Sequence, residues 1–82
     1  MATDLRRLVR RLIQAIANQQ GRRISLSQYL TYSARAGRMV TKYVLSEPTQ
    51  DETGRTRYKS IYEGWSLPDV VKALAAEHQR GQ

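Results

Sequence analysis

Arginine side chains in the first half of the chain are the feature of this sequence best suited to chemistry with a partner. Residues 1–46 contain eight Arg and one Lys against the single acidic residue Asp4, which gives a net charge of +8. The whole chain carries +7, so all of the excess lies in this half. Arg binds phosphate and guanine edges through paired hydrogen bonds, and the distribution therefore predicts a polyanionic partner. The basic candidates for contact are Arg6, Arg7, Arg10, Arg11, Arg22, Arg23, Arg35, Arg38 and Lys42.

Three polar residues among these Arg positions could add selectivity. A helix is predicted over residues 26–36, and its exposed side would carry Gln28, Thr31, Tyr32 and Arg35. Amide and guanidinium groups hydrogen-bond to base edges, and a Tyr ring can stack on an unpaired base. We expect these residues to contact bases while the Arg residues of the first helix hold phosphates.

Residues suited to catalysis or metal binding are few. The sequence has one histidine, His78, and no cysteine, so it offers no thiolate nucleophile and no zinc–sulfur site. His78 falls near the end of a predicted helix, where the helix dipole favours a positive charge. The acidic residues Glu47, Asp51 and Glu52 match no cation-binding loop and are interpreted as solvated. We expect a protein that is not an enzyme and has no cofactor and no metal.

Apolar spacing and capping residues predict three helices. The first runs from a Thr3 cap to Gly21, with apolar residues at three- and four-residue spacing. A capping box that begins at Ser25 predicts the second helix. Ser66 caps a third helix over residues 67–79, in which a proline occupies the first turn.

A β-hairpin is predicted between the second and third helices. Val, Thr and Tyr favour strands at 39–45 and 56–62, and EPTQDETG between them is a turn segment. The predicted fold is α+β, a small single domain over residues 1–82 with the order helix–helix–β-hairpin–helix, with which a winged-helix arrangement is compatible. If 39–45 formed a short helix instead, residues 25–45 would be a helix-turn-helix. Carboxylates at the hairpin tip repel phosphates, so this tip should face away from DNA.

Length and composition set the remaining expectations. The single domain has a basic half, 1–46, and a near-neutral half, 47–82, with room for one modest core. The absence of cysteine and of an apolar leader predicts a cytoplasmic protein without a membrane contact. The sequence predicts a small nucleic-acid-binding protein, specifically a DNA-binding regulator, with RNA as another possible target. The alternative is a non-enzymatic protein-interaction module (an adaptor, an inhibitor or a small subunit of a larger assembly) that uses the same Arg, Tyr and Trp surface. The partner in that case could be an acidic protein surface. The sequence leaves the oligomeric state open.

Overall fold

Two helices and a three-stranded antiparallel sheet form the structure. The computed structural model describes residues 4–80, in the order α1 (Leu5–Gln20), β1 (Ser25–Ser33), β2 (Arg38–Gln50), β3 (Thr56–Gly64) and α2 (Leu67–Arg80). The strands lie side by side in the order β1-β2-β3. The predicted order helix–helix–β-hairpin–helix is therefore wrong, and so are the winged-helix and helix-turn-helix alternatives.

The segment predicted as the second helix is strand β1. Ser25 does not cap a helix, because its hydroxyl lies 3.5 Å from the hydroxyl of Ser46 on the neighbouring strand. Nine residues of β1, from Ser25 to Ser33, pair in register with β2. This non-local pairing outweighs the local capping signal, and it suits a segment rich in Tyr, Thr and Ser.

The predicted first and last helices are confirmed. Asp4 caps α1, since its side chain accepts a hydrogen bond from the Arg7 backbone N–H at 3.3 Å; Thr3, the predicted cap, lies outside the described residues. Gly21 ends α1 in the left-handed conformation, with φ of 67°. Ser66 caps α2 as predicted, because its hydroxyl accepts from the Asp69 N–H at 3.3 Å.

The two hairpins of the sheet are offset along the shared strand β2. Strand β1 pairs with Arg38–Ser46 of β2, whereas β3 pairs with Tyr43–Gln50. Within the described part of the chain, four residues, Tyr43–Ser46, therefore have partners on both sides. As a result, the β1–β2 hairpin projects beyond the sheet at one end and the β2–β3 hairpin projects at the other. The predicted strand at 39–45 is confirmed and extends to Gln50, so the turn of the second hairpin begins only at Asp51.

The core lies between the two helices and one side of the sheet. Leu26, Leu45 and Tyr62 form a row of paired residues across the three strands, and Leu45 is fully buried. Paired residues of neighbouring strands share a side, so this row defines the side on which the helices pack, here called the helix side. The opposite side is called the open side. The buried apolar residues are Val9, Ile16, Ile24, Leu45, Val70 and Leu74.

Arg22 joins three elements next to this small core. Its guanidinium donates to both carboxylate oxygens of Glu47 on β2, at 3.0 and 2.7 Å, and to Glu77 of α2 at 2.8 Å. The hydrogen bond from Arg22 lowers the pKa of Glu47 below its ordinary value of 4.5. Charge-assisted, bidentate hydrogen bonds of this kind are stronger than bonds between neutral groups. Arg22 therefore links the α1–β1 connection to the sheet and to the last helix.

We expect Arg22→Met to destabilise the fold by roughly 2 kcal/mol, because it leaves two partly buried carboxylates without their donor. The matched control is Arg23→Met, one residue further on, where the side chain is exposed and the cost should stay within about 0.5 kcal/mol. Urea unfolding of both variants checks the difference. Equal stability of the two variants would contradict a structural role for Arg22.

The lowered pKa of Glu47 predicts a dependence of stability on pH. The stabilisation is fully present above the unfolded pKa and is lost as pH falls through the lower folded pKa, because only the carboxylate form accepts from Arg22. Wild type should therefore lose more stability than Glu47→Gln as the pH falls below the ordinary value of 4.5. Unfolding curves at a series of acidic pH values measure this, and parallel losses in the two proteins would refute it.

Candidate nucleic-acid interface

The outward side of α1 carries a group of exposed basic residues. Leu5, Leu8 and Leu12 face inward at helical spacing and are partly covered, which fixes the orientation of the helix. The opposite side presents Arg side chains that are exposed to solvent, here called the arginine face: Arg6, Arg7, Arg10 and Arg11. The positions on α1 thus agree with the amphipathic pattern in the sequence, and four guanidinium groups within six residues give a short, dense strip of positive charge.

A side-chain hydrogen bond connects the arginine face to the sheet. The Arg6 guanidinium Nη2 donates to Gln28 Oε1 at 3.2 Å. Gln28 pairs with Tyr43 and therefore lies on the helix side of β1. The contact places the first turn of α1 beside the projecting half of the β1–β2 hairpin. Arg6 is thus the residue at which the arginine face and this hairpin meet.

The β1–β2 hairpin stands free beyond this contact. On its helix side Leu30 and Tyr32 are 68% and 64% exposed, so no element of the described chain covers that end. A four-residue turn closes the hairpin, in which Gly37 N–H donates to Ser33 O at 2.8 Å and Ala36 N–H donates to Ser33 Oγ at 3.1 Å. The result is a two-stranded ribbon with a well-defined tip.

Arg35 and Arg38 stand exposed at the tip of this ribbon. The prediction that Gln28, Thr31, Tyr32 and Arg35 share one side of a helix is wrong, because alternate residues of a strand point to opposite sides. Gln28 and Tyr32 lie on the helix side of β1, whereas Thr31 lies on the open side with Arg38 of the paired strand. The ribbon therefore carries polar side chains on both of its sides.

Three of the predicted contact residues have other placements. Arg22 is held in the ion pairs with Glu47 and Glu77 described above, away from the ribbon. Lys42 lies on the open side, where its Nζ is 3.1 Å from Glu63 Oε1 and 5.8 Å from the centre of the Trp65 ring. Arg23 is exposed in the connection between α1 and β1. Because Arg22 and Lys42 already pair with carboxylates, they have less positive charge and fewer free donors for binding an anion.

Trp65 is a surface residue that the predicted site did not include. Its side chain is 60% exposed, and it lines an open groove of about 600 Å³ with Arg35, Arg38 and Met39. The groove exists because β3 ends at Gly64, opposite Tyr43, which leaves the edge of β2 before Tyr43 unpaired in the described chain. Only the strand offset creates this groove, so the local sequence around Trp65 gives no signal for it.

Two of the acidic residues that were interpreted as solvated, Glu47 and Asp51, are bonded within the fold, and so is the histidine. Asp51 accepts hydrogen bonds from the Thr53 hydroxyl, the Arg57 guanidinium and two backbone N–H groups, which lowers its pKa from 3.8 to about 2. This carboxylate therefore builds the second hairpin turn. A ring nitrogen of His78 lies 2.8 Å from Gln19 Oε1. Within residues 4–80, no three His, Asp or Glu side chains come together in an arrangement able to hold a metal ion.

Similarity to known proteins gives no guide to the function of this surface. No family model, no curated protein and no solved structure matches this chain. Neither helix of the described chain has the length and apolar character needed to cross a membrane.

We expect the ribbon tip to depend on the left-handed conformation of Gly37, whose φ is 67°. Gly37→Ala should cost about 1 kcal/mol, because a Cβ penalises this conformation; an added Cβ would meet no other atom within 4 Å, so the cost is one of backbone strain. Gly37→Asn is the matched control, since Asn tolerates this region better. Thermal unfolding of both variants measures the effect, and a costlier Asn variant would contradict it.

Proposed function

We propose that this protein binds double-stranded nucleic acid, with DNA favoured, and acts as a small DNA-binding regulator. The arginine face of α1 holds phosphates, and the β1–β2 ribbon enters a groove. The observation that carries the proposal is the free-standing ribbon with Arg35 and Arg38 at its tip, placed beside the arginine face by the contact between Arg6 and Gln28.

The distribution of ion pairs supports the assignment of phosphate contacts to the arginine face and of groove contacts to the ribbon. Among the basic residues, all of which lie within residues 4–80, those in ion pairs are Arg22, Lys42, Arg57 and Arg80. The arginine face and the ribbon tip thus keep six guanidinium groups that form no ion pair with a carboxylate of residues 4–80. The chain from Leu5 to Ser46 also contains no acidic residue. Phosphate neutralisation by such groups supplies most of the non-specific affinity for nucleic acid.

The shape of the ribbon favours DNA over an RNA duplex. The major groove of B-form DNA is about 12 Å wide and admits a two-stranded β-ribbon, whereas the major groove of A-form RNA is deep and narrow. Within the DNA groove, Arg35 and Arg38 could donate paired hydrogen bonds to guanine. Tyr32 and Gln28 follow on the helix side of the same strand, where they would contact the groove walls.

A protein-interaction module is the second candidate, and one observation favours it. Leu30, Tyr32 and Met39 are exposed together on the helix side of the ribbon. An apolar cluster next to Arg35 and Arg38 has the composition of an interface centre, in which aromatic residues, Met and Arg are enriched. A partner protein would bury this cluster, and its binding would depend on the apolar residues more than on salt.

A charge-reversal variant distinguishes the two candidates. We expect Arg7→Glu with Arg10→Glu and Arg11→Glu to leave the fold intact, because these side chains are exposed, and to abolish most of the affinity for a DNA duplex. Wild-type log affinity should fall with log salt by about 0.9 per phosphate contact, and the slope of the variant should be smaller by up to about 3. Fluorescence anisotropy titrations at several salt concentrations measure both quantities.

The matched control reverses three exposed basic residues outside the arginine face and the ribbon: Arg55→Glu, Lys59→Glu and Lys72→Glu. Its net charge is the same as that of the α1 variant, but its changes lie away from the proposed surface, so it should retain clearly more DNA affinity. Equal losses in both variants would show that only net charge matters and would reject the assigned site. A salt-independent partner lost on Tyr32→Ala with Met39→Ala would instead support the interaction module.

A further inference from the structure

Strand β1 is an outer strand of the sheet along its whole length. It pairs with β2 from Ser25 to Ser33, and nothing in residues 4–80 pairs with its other edge. Its sequence, SLSQYLTYS, contains no charged residue, no proline and no glycine. Natural sheets protect exposed edges with charges, prolines or bulges, because a bare edge is a template for another strand. The outer edge of β1 has none of these protections.

The sequence of β1 is self-complementary in the antiparallel direction. When two copies meet around a twofold axis at Tyr29, Tyr29 faces its own copy. On the open side, Ser25 then faces Ser33 and Ser27 faces Thr31. On the helix side, Leu26 faces Tyr32 and Gln28 faces Leu30. Hydroxyls thus meet hydroxyls and Leu26 meets an aromatic ring, which are cross-strand pairs of the kind that stabilises sheets. Gln28 is the polar exception and meets Leu30 through the aliphatic part of its side chain.

Burial and charge agree with this arrangement. Tyr29, Leu30 and Tyr32 are all exposed in the single chain, and each acquires a neighbour in the paired form. Two copies of a chain with charge +7 repel each other in general. The residues of β1 add no charge of their own to the interface, although Arg6 lies beside Gln28. The other free edge, Arg38–Lys42 of β2, is shorter, carries a charge at each end and leads to Trp65.

We propose that two copies of this chain associate through β1, antiparallel and in register around Tyr29, to form one six-stranded sheet. The interface is isologous, as expected for a twofold dimer in which the same segment contributes both halves. The proposal stands on the bare, self-complementary strand and does not rest on nucleic-acid binding. In this dimer the two β1–β2 ribbons join edge to edge into four strands, whereas the major groove admits a two-stranded ribbon, so the dimer and a complex with the ribbon in the groove exclude each other. The two activities also respond oppositely to salt: screening should strengthen the dimer, whereas it weakens a complex with DNA.

The absence of cysteine from the sequence makes disulfide cross-linking a direct test of the register. Paired residues of antiparallel strands have Cα atoms about 4.5–5.5 Å apart, which suits a disulfide. Tyr29→Cys should therefore form a covalent dimer under mild oxidation. Ser27→Cys alone should not, because its copy lies four residues, or about 13 Å, along the strand. Ser27→Cys combined with Thr31→Cys should cross-link again, since those positions face each other.

Association without a cross-link is measured by analytical ultracentrifugation up to millimolar concentrations. Wild type should dimerise, and Thr31→Lys should raise the dimer Kd by about tenfold or more, because it puts a charge at the bare edge. Val40→Lys is the matched control: Val40 pairs with Thr31 on the open side but belongs to β2, so its Kd should change less. A monomeric wild type, equal cross-linking of Tyr29→Cys and Ser27→Cys, or equal effects of the two Lys variants would overturn the proposal.

Discussion

Backbone pairing of β2 with both of its neighbours, over two different halves, is the constraint on which the rest of the structure depends. Doubly paired sheet exists only from Tyr43 to Ser46, and Leu45, in the middle of this stretch, is the fully buried strand residue beneath the helices. Because the doubly paired region is short, the helices can cover only a small apolar area. Both hairpins then have to extend into solvent. Within residues 4–80, the outer edge of β1 and the Arg38–Lys42 edge of β2 have no strand partner.

Because the apolar core is small, polar interactions have to add to its stability, and the ion pairs of Arg22 do so. The guanidinium bonds Glu47 and Glu77 at 2.7 and 2.8 Å, so it links the α1–β1 connection, the shared strand and the last helix at one point. These bonds engage one Arg in the fold, whereas the other Arg residues of the first half are exposed to solvent. Structural and binding roles are thereby divided between arginines that the sequence alone presents as equivalent.

Local patterns in the sequence predict the two helices and the hairpin of β2 and β3, but not strand β1, which completes the sheet. Amphipathic spacing and caps identify α1 and α2 because each helix satisfies its own backbone. The segment from Ser25 carries helix-type capping signals, yet it also places hydroxyl residues at alternate positions 25, 27, 31 and 33, which is the strand signal that the helix prediction overlooked. Gly37 fits both interpretations, since a helix end and this hairpin turn require the same left-handed backbone. Arg22 pairs with Glu47 and Glu77, which lie 25 and 55 positions further along the chain. These pairs and the groove beside Trp65 depend on tertiary structure alone.

The offset of the two hairpins also determines where the molecule can open without unfolding. Amide groups of the doubly paired stretch exchange with solvent only when the core itself opens, whereas those towards either hairpin tip can be released by separating just two strands. Protection against hydrogen exchange should therefore decline in both directions from the centre of β2. The β1–β2 tip, which lies furthest from the core on one side, can thus bend or separate on a partner at small energetic cost, while the rigid centre keeps the helices in place.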